Sequence, residues 1–242
     1  MNTRWTWIGI LALAVLLSGC YTTGLSVREN SHANYTSYLY ALYDGHFSDQ
    51  EIQQSRATPK RVNLPATLAV AQVGEVAPPQ AMIEQLARDR ALFSAVQGIP
   101  AVRDPNATRP PEVSLKEEVR DQVRQMRRFA ADLGMDYLFL YGGTIDVGET
   151  ATGATILDWT IIGAYVPTHK VHAVGRASGA LVDIATGQVL FMVTAEDELK
   201  TYESTMARSY GTSDAYLTQV RESLIPKLTE ALLAKVQERA AH

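Results

Sequence analysis

Cysteine is almost missing from this chain, since Cys20 is the only one among its 242 residues. A chain with a single thiol cannot close an internal disulfide, so its stability has to come from an apolar core. Its length is sufficient for one sizeable domain, or for one domain with extended arms.

Long apolar runs are lacking as well. The run from Trp5 to Leu17 follows Arg4 and would span about 20 Å as a helix. The hydrocarbon layer of a bilayer is ~30 Å thick, so a permanent transmembrane helix is not predicted. A positively charged start followed by a short apolar run is instead typical of a secretory signal sequence.

The sequence also lacks recognisable catalytic patterns. It contains no Gly-x-Ser-x-Gly elbow, no Gly-x-x-x-x-Gly-Lys loop, no His-Glu-x-x-His pair and no Gly-x-Gly-x-x-Gly pattern. His169 and His172 should face opposite sides of a strand, which argues against a metal site. Glu196, Asp197 and Glu198 alternate likewise and are predicted to form a solvated strand end. We therefore expect a non-catalytic protein without a metal ion or other cofactor.

Strong charge of either sign is missing too, because the formal net charge at pH 7 is −4. A mildly acidic chain gives no argument for a nucleic-acid partner. We predict that it binds none.

The residues around the lone cysteine carry the clearest signal. The small pair Ser18-Gly19 follows Leu17 and leads directly into Cys20, whereas an ordinary cleavage site ends in an Ala-x-Ala pattern. The segment resembles the lipobox of bacterial lipoproteins. That resemblance implies that the Cys20 thiol receives a diacylglycerol, that cleavage occurs before it, and that the new amino terminus receives an N-acyl chain. Tyr21 is not aspartate, which by analogy with lipoprotein sorting favours the inner leaflet of the outer membrane, facing the periplasm.

Four regions follow from this pattern. We predict a signal peptide at 1–19, a lipidated tether at 20–33, a short aromatic helix with a linker at 34–63, and a single α/β domain at 64–242. The helix is indicated by Tyr35, Tyr38, Leu39, Leu42 and Tyr43, which share one helical face. Packing onto the domain is the favoured role. The alternative is a partner-binding or membrane-surface role for Tyr38, Tyr40 and Tyr43.

The first half of the domain has the pattern of a β-α-β unit. Residues 64–73 form a short apolar run that is typical of a strand buried on both faces. Pro78-Pro79 then open a helix whose apolar face is predicted to contain Met82, Ile83, Leu86 and Ala87, and strand character returns over 92–99.

A second helix is predicted from a capping box at Ser114 to Glu117 and ends at Gly134. Its apolar stripe consists of Leu115, Val119, Val123, Met126, Phe129 and Leu133. Arg120, Arg124 and Arg128 step along the same helix, with Arg127 beside them. A solvated face is the favoured interpretation, and contact with lipid headgroups or an acidic partner is the alternative.

The second half has the pattern of strands at 137–141, 155–166, 171–184 and 189–197. Residues 183–187 are predicted to form a hairpin turn, with a ligand site as the less favoured alternative. Trp159 is expected to point into the sheet core. Ala173, Gly175, Ala177 and Gly179 share one strand face, which leaves room for a helix or another chain to approach closely. We expect the second helix to cover it. A final helix starts at Ser213-Asp214 and contains Pro226. Its inward residues are predicted to be Tyr216, Leu217, Val220, Leu224, Leu228 and Leu232.

The predicted fold class is therefore α/β (α+β): one mixed sheet, β-α-β-α and then an antiparallel meander, with a long C-terminal helix packed on it. This order, and the strand-turn-strand Gly179 to Leu190, resemble the periplasmic domain of curli-secretion-channel and penicillin-binding-protein-activator lipoproteins. The lipobox, Tyr38-Leu39-Tyr40, Trp159 to Val166 and Leu224-Ile225-Pro226 are together similar to the rhombotarget lipoprotein family. That family implies no defined activity.

Together these patterns predict an outer-membrane-anchored periplasmic lipoprotein that binds or regulates another envelope protein. The membrane is contacted through the lipid on Cys20, and a homo-oligomer is compatible with the sequence. Two alternatives stay open: a subunit of an oligomeric secretion or pore complex of the curli-channel type, and an enzyme whose site is not recognised.

Overall fold

The computed structural model describes residues 27–28, 61–73, 75–101, 115–151, 167–204 and 212–241. The predicted lipobox, tether and aromatic helix lie outside these residues, and so do the predicted strand at 155–166 and Trp159.

Nine elements follow one another in the described parts of the chain. They are β1 (Val27–Arg28), β2 (Ala66–Gln72), α1 (Gln80–Arg88), β3 (Phe93–Gly98), α2 (Leu115–Asp132), β4 (Tyr137–Ala151), β5 (Pro167–Asp183), β6 (Val189–Ser204) and α3 (Thr212–Ala240). None of the helices described combines the length and apolar character needed to cross a membrane.

The strands form one mixed sheet in the order β3-β2-β4-β5-β6. Strand β2 pairs in parallel with both β3 and β4, while β4, β5 and β6 form an antiparallel meander. The short β1 pairs with β4 at Val147. The predicted class, with a β-α-β-α half, a meander and a C-terminal helix, is confirmed.

Helices cover both faces of this sheet. On the face that we call the α3 face, Leu228 and Leu232 of α3 and Met82 of α1 pack in one cluster with Phe139 and Leu181. On the opposite, α2 face, a second cluster forms. It consists of residues from β2, α2, β4, β5 and the segments next to them, including Val123, Met126, Ala130, Leu138, Leu140, Ala180 and Val182. The core thus has two layers, one on each side of the sheet.

Most predicted elements of the parallel half agree with the structure. The apolar run at 64–73 is the buried β2, and Met82 and Leu86 of α1 are buried, but Ala87 is exposed. In α2, Phe129 is 45% exposed and Leu133 36%, so their inward placement was wrong. At roughly 100° per residue, Phe129 lies about a quarter-turn from the line of Val123, Met126 and Ala130, which faces the sheet.

The stripe of small residues on β5 is covered by a helix, but not by the expected one. A Cβ on Gly175 would collide with the side chains of Val220 and Leu224, which belong to α3. The stripe therefore faces α3, whereas α2 packs against Ala180 and Val182 on the other face of β5. Helix α3 otherwise matches the prediction, with Val220, Leu224, Leu228 and Leu232 buried. Tyr216 and Leu217 are half-buried, and Pro226 lies inside the helix on its exposed side.

The predicted hairpin turn between β5 and β6 is confirmed. Asp183 Oδ1 accepts hydrogen bonds from the backbone N–H of Thr186 at 2.7 Å and from its hydroxyl at 2.9 Å. Gly187 has a φ of 75°, in the left-handed region that glycine adopts at no steric cost. The strands on either side of the turn are longer than predicted, because β5 begins at Pro167 and β6 continues to Ser204.

Candidate functional site

The connections around β2 create a crevice at its carboxyl end. The crossover from β2 to β3 uses α1, which packs on the α3 face, and the crossover from β3 to β4 uses α2, which packs on the α2 face. The two crossovers therefore pass on opposite sides of the sheet, and β2 ends beside β4 where Gln72 pairs with Tyr141. Ligands of open α/β sheets bind beyond the carboxyl ends of the strands.

A cleft with an empty volume of about 600 Å³, open solvent included, lies at this position on the α3 face. One wall comes from α3 and is largely apolar, with Leu224, Ile225 and Leu228. The other wall comes from the end of β2 and the segment after it, with Gln72 and Glu75. The cleft combines a mainly apolar lining with a few polar groups, which is the usual composition of a binding site.

Tyr141 is the most constrained polar group of the cleft. Its ring is 4% exposed and stacks on Phe139 with centroids 5.7 Å apart, and its hydroxyl donates a hydrogen bond to Gln72 Oε1 at 2.9 Å. Burial, and then the carboxylate of Glu75, raise the pKa of Tyr141 above its ordinary value. The hydroxyl is therefore protonated at neutral pH and acts as a donor that fixes the Gln72 amide, not as a base.

The floor of the cleft requires glycine. A Cβ on Gly143 of β4 would lie 2.5 Å from the backbone oxygen of Arg176 on β5 and 3.2 Å from Cβ of Ala177. A side chain at this position cannot be accommodated without moving the two strands apart. Gly143 thus allows β4 and β5 to lie this close together, and Gly142 and Gly143 line the cleft without side chains.

Charged side chains stand at the rim. Glu75 and Arg221 are both exposed and line opposite walls, the first after β2 and the second on α3. The cleft can therefore hold an apolar group in its interior while a polar or charged part of the same ligand stays at the rim. No sequence motif signals it, because Gln72, Tyr141 and Arg221 are brought together only by the fold.

The acidic triplet lies within β6 and not at a strand end as predicted, since the strand continues to Ser204. Its side chains diverge as strand alternation predicts. Asp197 points to α3, where Ser223 donates a hydrogen bond to it and Lys227 Nζ lies 2.5 Å from its Oδ1. These two partners, Lys227 first, hold the pKa of Asp197 below its ordinary range. Glu196 and Glu198 point to the opposite face, so the three carboxylates do not share one site.

Each exposed glutamate of the triplet has a basic neighbour. Glu196 lies 3.1 Å from the guanidinium of Arg176, and Glu198 accepts bonds from Lys200 at 2.7 Å and from His172. Lys200 and His172 lower the pKa of Glu198. His169, by contrast, is buried on the other face of β5, and among the residues described no three His, Cys, Asp or Glu side chains gather around a possible metal position.

The other predicted site residues do not contribute to the cleft. Arg124 and Arg128 are exposed on α2, which covers the opposite face of the sheet, and Arg124 forms an exposed ion pair with Asp121 at 3.1 Å. Arg120 lies on the same helix. The anchor residues Leu17, Ser18, Gly19 and Cys20, and the aromatic residues Tyr38, Tyr40 and Tyr43, fall outside the described residues.

Arg127 has a structural role that the sequence did not reveal. Its Nη2 donates a hydrogen bond of 2.8 Å to the backbone oxygen of Ile184, and its guanidinium lies against Gly187, where a Cβ would collide with it. The side chain therefore attaches α2 to the β5–β6 turn. The only indication of this role in the sequence is that Arg127 directly follows Met126, which belongs to the predicted apolar stripe of the helix.

Substitution of Arg127 by methionine should lower the unfolding free energy by ~1.5–3 kcal/mol, because a hydrogen bond from a charged donor is lost and a half-buried carbonyl loses its partner. Arg124→Met is the matched control on the same helix, with an expected change below ~1 kcal/mol since exposed ion pairs contribute little. Urea unfolding of both variants measures the difference. Equal effects would contradict the role assigned to Arg127.

Comparison with known proteins gives a family and a set of distant structures. A family model described as YafT bacterial lipoprotein matches residues 41–235. No curated protein matches this chain. A lipoprotein family is what the lipobox predicts, while the narrower similarity to rhombotarget lipoproteins is not confirmed.

Three solved structures illustrate the distant matches. The PelC dodecamer from Paraburkholderia phytofirmans has 9% identity and a TM-score of 0.31, covering 85% of this chain and 95% of that one. A putative neuraminyllactose-binding hemagglutinin homolog from Helicobacter pylori has 8% identity, a TM-score of 0.31 and coverages of 80% and 88%. Lipoprotein GNA1162 from Neisseria meningitidis has 14% identity, a TM-score of 0.27 and coverages of 65% and 99%. At these TM-scores the similarities carry no argument about this chain.

Proposed function

This chain belongs to the YafT bacterial lipoprotein family, and from that premise we propose that it is an outer-membrane-anchored periplasmic lipoprotein that binds another envelope protein without catalysis. Cys20 carries the anchor, and the acyl chains hold the protein in the inner leaflet. Burial of acyl chains contributes ~0.8 kcal/mol per CH₂, and stable anchoring needs at least two membrane-binding signals, such as two acyl chains.

The cleft beyond β2 is the observation that carries the binding role. Its α3 wall offers Leu224, Ile225 and Leu228 to an apolar side chain of a partner segment. The Gln72 side-chain amide, whose oxygen accepts the hydrogen bond of Tyr141, can offer its NH₂ group to a backbone carbonyl of the partner. Gly142 and Gly143 line the cleft without side chains. An apolar pocket with a few placed polar groups is well suited to an extended segment of a protein.

The chemistry of the ionisable groups supports binding over catalysis. Tyr141 is held protonated by its raised pKa, so it cannot accept a proton at neutral pH. Ser223 lies on α3, next to Leu224 of the cleft wall, and its hydroxyl is a candidate nucleophile. Its hydrogen-bond partner Asp197, however, has a lowered pKa and is therefore a weak base. A group with that pKa does not activate a serine.

Site-specific crosslinking in cells tests the proposal. A photo-crosslinking residue at Ile225, inside the cleft, should capture one defined envelope protein from the full-length chain. The same residue at Arg124, on the opposite face of the sheet, should capture none. The captured partner should also be lost from Ile225 when Gln72 is replaced by leucine, which keeps the bulk of the side chain but removes the hydrogen-bonding groups offered to the partner.

A Gln72→Leu chain that accumulates normally and still crosslinks fully at Ile225 would argue against the cleft. Capture at Arg124 with none at Ile225 would place the partner on α2. It would favour the alternative in which Arg120, Arg124 and Arg128 contact an acidic partner. Turnover of a small substrate by the purified protein, abolished by a change in the cleft, would favour the enzyme alternative.

A further inference from the structure

The last strand of the sheet presents an open edge. In the described part of the chain, β6 (Val189–Ser204) has one strand neighbour, β5, on one side only. The far half of β6 carries exposed side chains on the α2 face, with Tyr202 61% exposed and the side chains of Glu198 and Lys200 about half exposed. A long edge of this kind is a template for pairing with another strand.

We propose that β6 pairs antiparallel with β6 of a second copy of this chain, around a two-fold axis at Leu199. In this arrangement Glu198 of each copy lies opposite Lys200 of the other. Two identical edges related by a two-fold axis form a closed, isologous contact. The inference stands on the edge strand alone and does not depend on the cleft.

Charge selects this register. In an antiparallel pair, directly opposite residues lie on the same face of the sheet, and opposite charges there stabilise the pair while like charges weaken it. Centring the pair on Asp197 places Glu196 against Glu198, and centring it on Glu198 places that residue against its own copy. Centring it on Lys200 places two lysines together. Around the middle of the strand, only Leu199 as the centre gives two Glu198–Lys200 pairs without a direct like-charge pair.

The groups involved have bonding capacity left for a second copy. Glu198 accepts from Lys200 of its own strand and from His172 through Oε1. A carboxylate has about four lone-pair sites and an ammonium has three donors, so each group can bind the partner's group as well. The same charges, Glu196 included, place like charges opposite one another in the registers centred on residues 196, 197, 198 and 200. They therefore disfavour these neighbouring registers relative to the one centred on Leu199.

Cysteine crosslinking of the full-length chain in its membrane tests the register. Leu199→Cys should form a disulfide-linked dimer, because the two copies of this residue face each other within the ~4.4–6.8 Å between Cα atoms that a disulfide allows. Thr201→Cys is the matched control on the same face. Its two copies would be separated by four residues of strand, about 13 Å, and should not link. The parent chain, with Cys20 alone, provides the background.

Charge exchange tests the pairing itself. In the Leu199→Cys background, Glu198→Lys should reduce the disulfide yield at least tenfold, because it places a second lysine directly opposite Lys200 of the other copy. Adding Lys200→Glu should restore the yield to within about twofold by reversing both partners. Lys235→Glu, a charge reversal on α3 away from the edge, should leave the yield unchanged.

Three results would overturn the proposal: equal linkage at Leu199 and Thr201, a different protein linked at Leu199, or a Glu198→Lys yield equal to that of the parent. If the Glu198→Lys chain does not accumulate in cells, the test relies on the double variant. That variant exchanges the charges at 198 and 200 and so keeps an ion pair between these two positions of the strand. Failure of the folded double variant to link would also count against the register.

Discussion

Replacing Phe139 by alanine is expected to lower the unfolding free energy by ~3–5 kcal/mol. Phe139 is fully buried in the middle of β4, packs in the cluster between the sheet, α1 and α3, and stacks on Tyr141. Its ring also fills the space above Gly179, where a Cβ would collide with it. The loss leaves a cavity that a rigid sheet cannot close, and it is a large part of the ~5–15 kcal/mol that stabilises a typical domain.

The matched control is Phe129→Ala on α2. The same atoms are removed, but Phe129 is 45% exposed, so the expected change is at most ~1 kcal/mol. Urea unfolding followed by circular dichroism compares the two variants, with soluble yield as a second measurement. Phe139→Ala should lose much of its cooperative transition or fail to accumulate. If both variants unfold at the same urea concentration as the parent, the two-layer core described above is wrong.

The elements that the sequence predicts well are those with a strong local pattern. The unbroken apolar run of β2 indicates a strand buried on both faces, and the four-residue spacing of Val220, Leu224, Leu228 and Leu232 in α3 indicates one buried helix face. The turn at Asp183 to Gly187 was also predictable, since its hydrogen bonds are formed within five residues.

The sequence could not indicate which helix covers which face of the sheet. Helices α2 and α3 both have an apolar stripe, and Gly175 could have approached either of them. The choice is made by the strand order, because β2 lies between β3 and β4 and the two crossovers pass on opposite sides. Strand order depends on pairing between residues far apart in the chain, which no local pattern encodes.

The same reason explains why the cleft was not predicted. Gln72 and Tyr141 are hydrogen-bonded although they are 69 positions apart, and neither lies in a motif. The exposed Arg124 and Arg128 of α2 form a visible charge pattern, yet the arginine that joins this helix to another element is the half-buried Arg127. Its hydrogen bond to Ile184 crosses 57 positions and could not be inferred from spacing.

Lipid attachment at Cys20 has the second large expected effect, since it is all-or-none. The thiol is the only one in the chain and follows Leu17-Ser18-Gly19 directly. Serine at this position retains the size of the side chain but cannot form the thioether that carries the diacylglycerol. The Cys20→Ser chain should therefore remain as an uncut precursor without lipid, because the lipoprotein peptidase requires the modified cysteine.

The central claim, that this protein is a lipid-anchored envelope protein, is tested most directly by labelling cells with a radioactive or alkyne-bearing fatty acid and fractionating their membranes. The parent should incorporate the label, migrate at the size of the processed form and co-sediment with the outer membrane. Cys20→Ser should incorporate none and migrate at the size of the precursor, while Ser18→Ala, which keeps a small residue before the cysteine, should behave as the parent. Equal labelling and fractionation of Cys20→Ser and the parent would contradict the claim.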